Sequence, residues 1–297
     1  MSPGTRSRSL SIAIVLASAC AAQINSAHAA PKSAPPASAS NADARAKALI
    51  EKQLKALPED NAALLATFAK DAVVLLPYGA TKVDSPDLEL CAAITGLHPH
   101  AEMRRTTLTS FVAGGNASMV WLAAELEVVL LLQEPGDPPS SEAHTVHVVE
   151  LLDGASDWKV VAASFAGVRS LARLRSSFGG IPLPTPAGSL APLLASPDKL
   201  AAAIGGDPVV VYGTDKAERA IGASAAKALL GKWRKLPLAI DDADAVREIR
   251  TANWGYAMAH VNIAKAGGPP YRMSAFLVAT PAANGMWSVV VVSYGAL

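Results

Sequence analysis

Cysteine is nearly absent from this chain. Cys20 and Cys91 are the two in 297 residues, and Cys20 lies in an apolar stretch with the character of a leader, so no disulfide framework is expected. Cys91 reads as a small apolar residue on a buried helix face. Aromatic residues are scarce at 5%, and charged residues make up 17%, with Lys and Arg at 26 against 25 Asp and Glu. A chain with net charge +1 and no basic block does not point to nucleic acid or an anionic membrane surface. No Gly-rich phosphate loop leads into a Lys, and no Gly-x-Ser-x-Gly elbow occurs. His98-Pro-His100, His144 and His147 fall short of the three or four ligands of a zinc site, and His144 and His147, three apart, face opposite sides of a strand. Asp241-Asp-Ala-Asp244 lacks the Gly and later ligands of a calcium loop. No metal and no cofactor is expected. Asn116-Ala-Ser118 fits a glycosylation sequon, a weak three-residue match.

What is plentiful is aliphatic side chain. Hydrophobic residues reach 51%, enough for packed cores, and the length suits two ordinary domains. Arg6 and Arg8, the apolar run Leu10 to Ala22 and the small-x-small Ala27-His28-Ala29 read as a secretory signal over residues 1–29. Its removal takes two arginines and no acid, turning +1 into −1. A rival reading makes Cys20 a lipidated residue, although Ala17 stands where Leu is usual. The expectation is a periplasmic or secreted protein with no membrane span. Residues 30–41, rich in Pro, Ala and Ser, read as a disordered tether.

From residue 42 the periodicity is helical, with Ala46, Leu49, Ile50, Leu54 and Leu57 on one face, and a second helix capped near Asp60 runs to Phe68. Ala72 to Leu76 reads as a strand and Asp87 to Thr95 as a helix. Strand spacing then takes over at Arg104 to Val112, Ala117 to Gln133, His144 to Leu152 and Trp158 to Phe165. A short basic helix over 168–177 precedes a Pro-rich linker at 179–195. The second unit repeats the order: helix 198–204, strand 208–212, helix 223–235, then strands at 245–251, 254–263, 271–279 and 287–294. Both units end alike, Trp158 being followed by Ser164-Phe165 and Trp287 by Ser293-Tyr294. Matched order at matched length reads as internal repetition. Helices followed by antiparallel strands give an α+β class, with a first domain at 42–178 and a second at 196–297.

Phe68-Ala-Lys-Asp71-Ala-Val-Val, Gly206-Asp207-Pro-Val-Val, the Gly213 to Gly222 segment, the strand from Trp254 and the two Trp-led endings together resemble the SnoaL-like branch of the nuclear transport factor 2-like (NTF2-like) superfamily. The resemblance covers most of 42–167 and 193–297. It implies two cone-shaped domains, each a curved antiparallel sheet wrapped on N-terminal helices around a pocket, paired through their open sheet faces as an intramolecular pseudo-dimer.

Alternation on the long strands puts Trp121, Glu125 and Glu127 on one face in the first unit, and Trp254, Tyr256, Met258, His260 and Asn262 on one face in the second. Aligning Trp121 with Tyr256 sets Glu125 against His260 and Glu127 against Asn262. If this face lines the cone pocket, these eight residues form apolar ligand sites bearing a few polar groups. His260, with Tyr256 nearby, and Glu125 are then the acid–base candidates; the plain alternatives are a structural histidine and solvent-facing acids. The Tyr and carboxylic-acid set of the ketosteroid-isomerase-like members cannot be placed here, nor can the Asp-Arg-Asp set of the epoxide-hydrolase branch. The weight falls on a non-catalytic exported protein binding a small apolar ligand or a protein partner. A cofactor-free isomerase, dehydratase or hydrolase, and a purely structural envelope protein, are the alternatives.

Overall fold

The structure is a computed structural model, and it describes residues 39–57, 60–76, 79–84, 101–132, 138–168, 189–241, 246–264, 269–283 and 285–296. The leader, residues 30–38 of the tether, the helix expected around Cys91, the His98 and His100 pair, residues 169–177 of the basic helix and most of the Pro-rich linker lie outside them; residues 39–41, expected in the tether, open the first helix instead. Residues 35–297 form one compact unit. It is α+β, with a six-stranded sheet built from residues before 168 and a seven-stranded sheet built from residues after 209. No helix among the described residues is long and apolar enough to cross a membrane.

In the first half, α1 (Ala39–Ala56) buries Ala42, Ala46, Ile50 and Gln53. Spacings of four, four and three keep these on one stripe, which lies over the sheet. Helix α2 (Asn61–Leu65) is started by Asp60, whose carboxylate accepts the Ala63 amide at 2.8 Å, the N-cap that stabilises a short helix most directly. It stops three residues before the expected end, because Phe68 already pairs with Val160. The strands are β1 (Phe68–Leu76), β2 (Gly79–Lys82), β3 (Ala101–Gly115), β4 (Met119–Leu132), β5 (Ser140–Asp153) and β6 (Lys159–Gly167), in the order β2-β1-β6-β5-β4-β3. β1 runs parallel to β6, and the other pairs are antiparallel.

The second half begins inside the expected linker. Helix α3 (Ala191–Leu194) is followed by α4 (Pro197–Ala203), and Leu190, Ala191 and Leu194 are buried in the core. The linker reading of 189–195 is therefore corrected: its apolar side chains are needed to cover the sheet. Strands β7 (Val210–Tyr212) and β8 (Arg219–Ile221) precede α5 (Ala223–Trp233). This helix buries Ala226, Leu229, Leu230 and Trp233, again one stripe. Then come β9 (Leu238–Ile240), β10 (Arg247–Arg250), β11 (Gly255–Ile263), β12 (Tyr271–Pro281) and β13 (Trp287–Ala296). The order is β8-β7-β13-β12-β11-β10, with β9 on the same partner as β10.

The two orders are the same, and the registers agree in detail. Ser164 pairs with Leu75 and Val149 in the first sheet, and Ser293 pairs with Tyr212 and Phe276 in the second. Both sheets carry a register shift at the same place, Leu151/Leu152 on β5 and Val278/Ala279 on β12. A bulge is a local feature of a particular strand position, so its recurrence fixes the alignment. Carried across, Trp121 corresponds to Tyr256, Glu125 to His260, Leu75 to Tyr212, Trp158 to Trp287 and Ala166 to Gly295.

Each sheet has two buried faces. One face packs on its own helices: Leu122, Ala124, Leu126 and Val148 in the first half, Ala257, Val261, Ala275 and Leu277 in the second. The other faces meet each other through Met119, Trp121, Leu151, Tyr212, Tyr256 and Phe276. Fully burying each such side chain contributes roughly 1.5–3 kcal/mol. Close approach is made possible at Gly295: a Cβ there would sit 2.4 Å from the Cβ of Ala166. Gly295→Ala is accordingly expected to cost about 1–3 kcal/mol through overpacking, and Ala166→Gly in the same chain to recover most of it. Urea unfolding of the two single variants and the double variant measures this; an additive double variant would mean that the two positions do not touch.

Candidate functional site

Three places in the described structure carry unusual chemistry or open space. The first is a polar cluster on the seam between the sheets. Strand pairing sets Glu125 on β4 opposite His147 on β5, with Oε2 and Nε2 3.6 Å apart. The Tyr212 ring, from the other half, stacks on the imidazole at 4.1 Å and 17°. Thr109 donates to Glu125 Oε1 at 3.0 Å, Arg219 on β8 donates to Ser110, and its guanidinium stands 4.0 Å from Glu125. His147 and Tyr212 are fully buried. Burial lowers the His147 pKa to about 4, against the opposing pull of Glu125, so the ring is neutral at pH 7 and can stack without desolvating a charge. Burial likewise pushes the Tyr212 hydroxyl up to about 12. A neutral imidazole beside a carboxylate can exchange a proton, but both ring nitrogens are sealed from solvent. The cluster reaches water through Arg219 and the Thr109–Ser110 edge, so it joins the two halves more readily than it meets a substrate.

The second place is a carboxyl inside the first half. Glu150 is fully buried on the helix-facing side of β5 and accepts from Gln53 on α1 at 2.8 Å. The same amide donates to Thr67, whose hydroxyl donates to the Leu64 carbonyl. Desolvation raises the Glu150 pKa to about 8, outweighing the Gln53 hydrogen bond, so the group is a neutral acid at pH 7.

The third is open space in two clefts. One, of about 510 Å³, is lined by residues of both halves, among them Asn116, Trp121, Asp207, Asn253 and Ser288. The other is a groove of about 590 Å³ in the second half. Leu193, Ala202, Ile204, Met286 and Trp287 make it mostly apolar, and Lys199 is the one charged residue lining it. Met286 is 64% exposed at its rim. In the first half the Arg45 guanidinium of α1 lies 4.5 Å from the ring centroid of the corresponding Trp158.

The eight residues expected to line a ligand pocket are placed differently. Trp121, Trp254, Tyr256 and Met258 are buried in the seam against the opposite sheet, so the expectation that this face looks into a cone beneath the helices is corrected. The strands are apolar on both faces, so hydrophobicity could not tell one from the other. Trp121 alone of the eight lines either cleft. Glu125 belongs to the seam cluster, and Glu127 pairs with Arg105 at 3.4 Å near the surface. Burial pushes Tyr256 up to about 12. His260 is half-buried beside Ser274, and Asn262 donates to Asp241, which also pairs with Arg272. The turn at Asn116 is held by its own carboxamide, which accepts from the Ser118 and Met119 amides. Tyr212, Arg219, Glu150 and Gln53 carry no signal in the sequence that marks them as a site, and His147 is weighed there only as a metal ligand. Alternation counted from Glu125 through the β4–β5 turn would have reached His147, but Arg219 sits on a three-residue strand that carries no periodic signal. No group of three or more His, Cys, Asp or Glu suited to a metal occurs among the described residues.

No family model matches the chain, and no curated protein matches it. Solved structures do. A Nostoc punctiforme protein of unknown function with a cystatin-like fold is similar at 16% identity, over 44% of this chain and 94% of its own, with a TM-score of 0.33. An NTF2-like protein from Cytophaga hutchinsonii matches at 15% identity over 41% of this chain and 95% of its own, TM-score 0.32. A ketosteroid isomerase-like protein from Erwinia carotovora atroseptica matches at 17% identity over 43% and 97%, TM-score 0.33.

The two buried titrating groups set opposite pH slopes. His147 has a folded pKa below its ordinary 6.5, so its contribution is present above pH 6.5 and is lost as pH falls towards about 4. Glu150 has a folded pKa above its ordinary 4.5, so its contribution is full below pH 4.5 and is lost as pH rises towards about 8. Between 4.5 and 6.5 the slopes cancel; above 6.5 stability falls by about 1.4 kcal/mol per pH unit. Glu150→Gln is expected to flatten that alkaline fall, as read from urea midpoints between pH 6.5 and 8. An unchanged slope in the variant would show Glu150 already ionised when folded.

Proposed function

We propose that the chain consists of two NTF2-like halves forming an intramolecular pseudo-dimer, and that it works as an exported, non-catalytic binding protein of the cell envelope whose ligand is a small apolar molecule held in the groove beside Trp287. The single observation carrying this reading is that groove: a mostly apolar space of about 590 Å³, in the range of small-molecule sites, beside Trp287, whose first-half counterpart Trp158 has Arg45 against its ring. The matched strand orders and the contact between the corresponding residues Ala166 and Gly295 support the pseudo-dimer, since a two-fold arrangement brings equivalent positions together. The leader-like residues 1–29 support export. Binding is favoured over catalysis because the polar groups suited to proton transfer, His147 and Glu150, are sealed within packed side chains.

The test uses calorimetric titration with 1-decanol. Binding is expected in the unmodified protein, with Met286→Asp weakening it about tenfold, equivalent to ~1.4 kcal/mol. Met286 is exposed, so the variant should fold as before. Decanol binding that Met286→Asp leaves untouched would place the ligand elsewhere, and no binding at all would remove the reading.

A further inference from the structure

We infer that the groove selects an amphiphile with one anionic head, an apolar chain ending in a carboxylate. The inference rests on reading this groove as the ligand site and adds the head group. The chain would run along Leu193, Ala202, Ile204 and Met286, which supply apolar wall. Lys199, exposed on α4, is the one charged side chain lining the space, and no described carboxylate lines it. Ser189 and Ser288 also line it, and a serine hydroxyl can complete the hydrogen bonds of a carboxylate. A cationic head would meet Lys199 with like charge, and a neutral head would leave the ammonium without a counter-charge.

The first half gives an internal comparison. There the Arg45 guanidinium of α1 lies 4.5 Å from the ring centroid of the corresponding Trp158. In the second half Trp287 and Lys199 both line the groove. The ammonium of Lys199 is exposed and can meet a bound anion. Because Lys199 is solvent-exposed, its attraction is screened and small, about three- to fivefold in affinity, and it weakens with added salt.

The experiment is calorimetry on the full chain with decanoate, 1-decanol and decyltrimethylammonium, each below its aggregation concentration, at pH 7.5 in low and high salt. Decanoate is expected to bind about three- to fivefold more tightly than decanol at low salt, with the ammonium weakest and the difference erased by salt. Lys199→Gln should bring decanoate level with decanol and leave decanol unchanged, while Met286→Asp weakens all three. Equal binding of decanoate and decanol to the unmodified protein, or an advantage of decanoate that survives Lys199→Gln, overturns the head-group inference and leaves the groove reading standing. Failure of all three ligands, or indifference to Met286→Asp, overturns the groove reading as well.

Discussion

The structure depends on the burial of one sheet face against the other. Strand β4 is buried over its first eight residues without alternation, and β12 over seven consecutive residues. A strand of this kind needs cover on both sides. Helices supply one cover in each half, and the opposite sheet supplies the other. Left open, Trp121, Tyr256, Phe276 and their neighbours would form an apolar patch far beyond what a soluble surface usually carries. The two halves are therefore bound to each other by the same composition that builds each of them.

The seam is matched in outline and unlike in detail. Leu75 in the first half holds the place that Tyr212 holds in the second, and Glu125 has His260 as its counterpart. One side of the seam consequently holds Glu125, His147, Tyr212 and Arg219, while the other holds His260, Ser274, Leu75 and Ala80. Within the polar set a neutral imidazole stacks on a phenol and a carboxylate is bonded to Thr109 with a guanidinium close by, while both His147 ring nitrogens are buried without a hydrogen-bond partner among the described residues. Removing Thr109 would leave the buried Glu125 carboxylate short of a donor, a larger cost than the net value of the contact.

Much of the strand inventory was legible in the sequence, since alternation and turn residues report local geometry directly. The correspondence of Trp121 with Tyr256 and of Glu125 with His260, read from alternation alone, is the one that the strand registers give. The direction of that face was not legible. Met119 to Ala124 is apolar on both sides, and nothing local says whether Trp121 looks towards a helix or a second sheet. By composition Pro192 belongs with the prolines before it, yet Pro also suits the first turn of a helix and sits there in α3. Short strands such as β8 and β9 have no period to count. The pairing of His147 with Tyr212 joins residues 65 positions apart, beyond any local pattern.

Once the seam fixes the sheets, the outer surfaces are free to diverge. In the first half an 18-residue helix carries Arg45 onto Trp158; among the described residues of the second, Trp287 stands at the wall of a groove. That groove does not threaten the fold, because the core beneath is closed by Leu190, Leu194 and Leu200, and the Tyr294 hydroxyl donates to the Leu194 carbonyl at 2.7 Å. Open apolar surface that is not needed for stability is the kind of surface on which binding can be placed without weakening the protein.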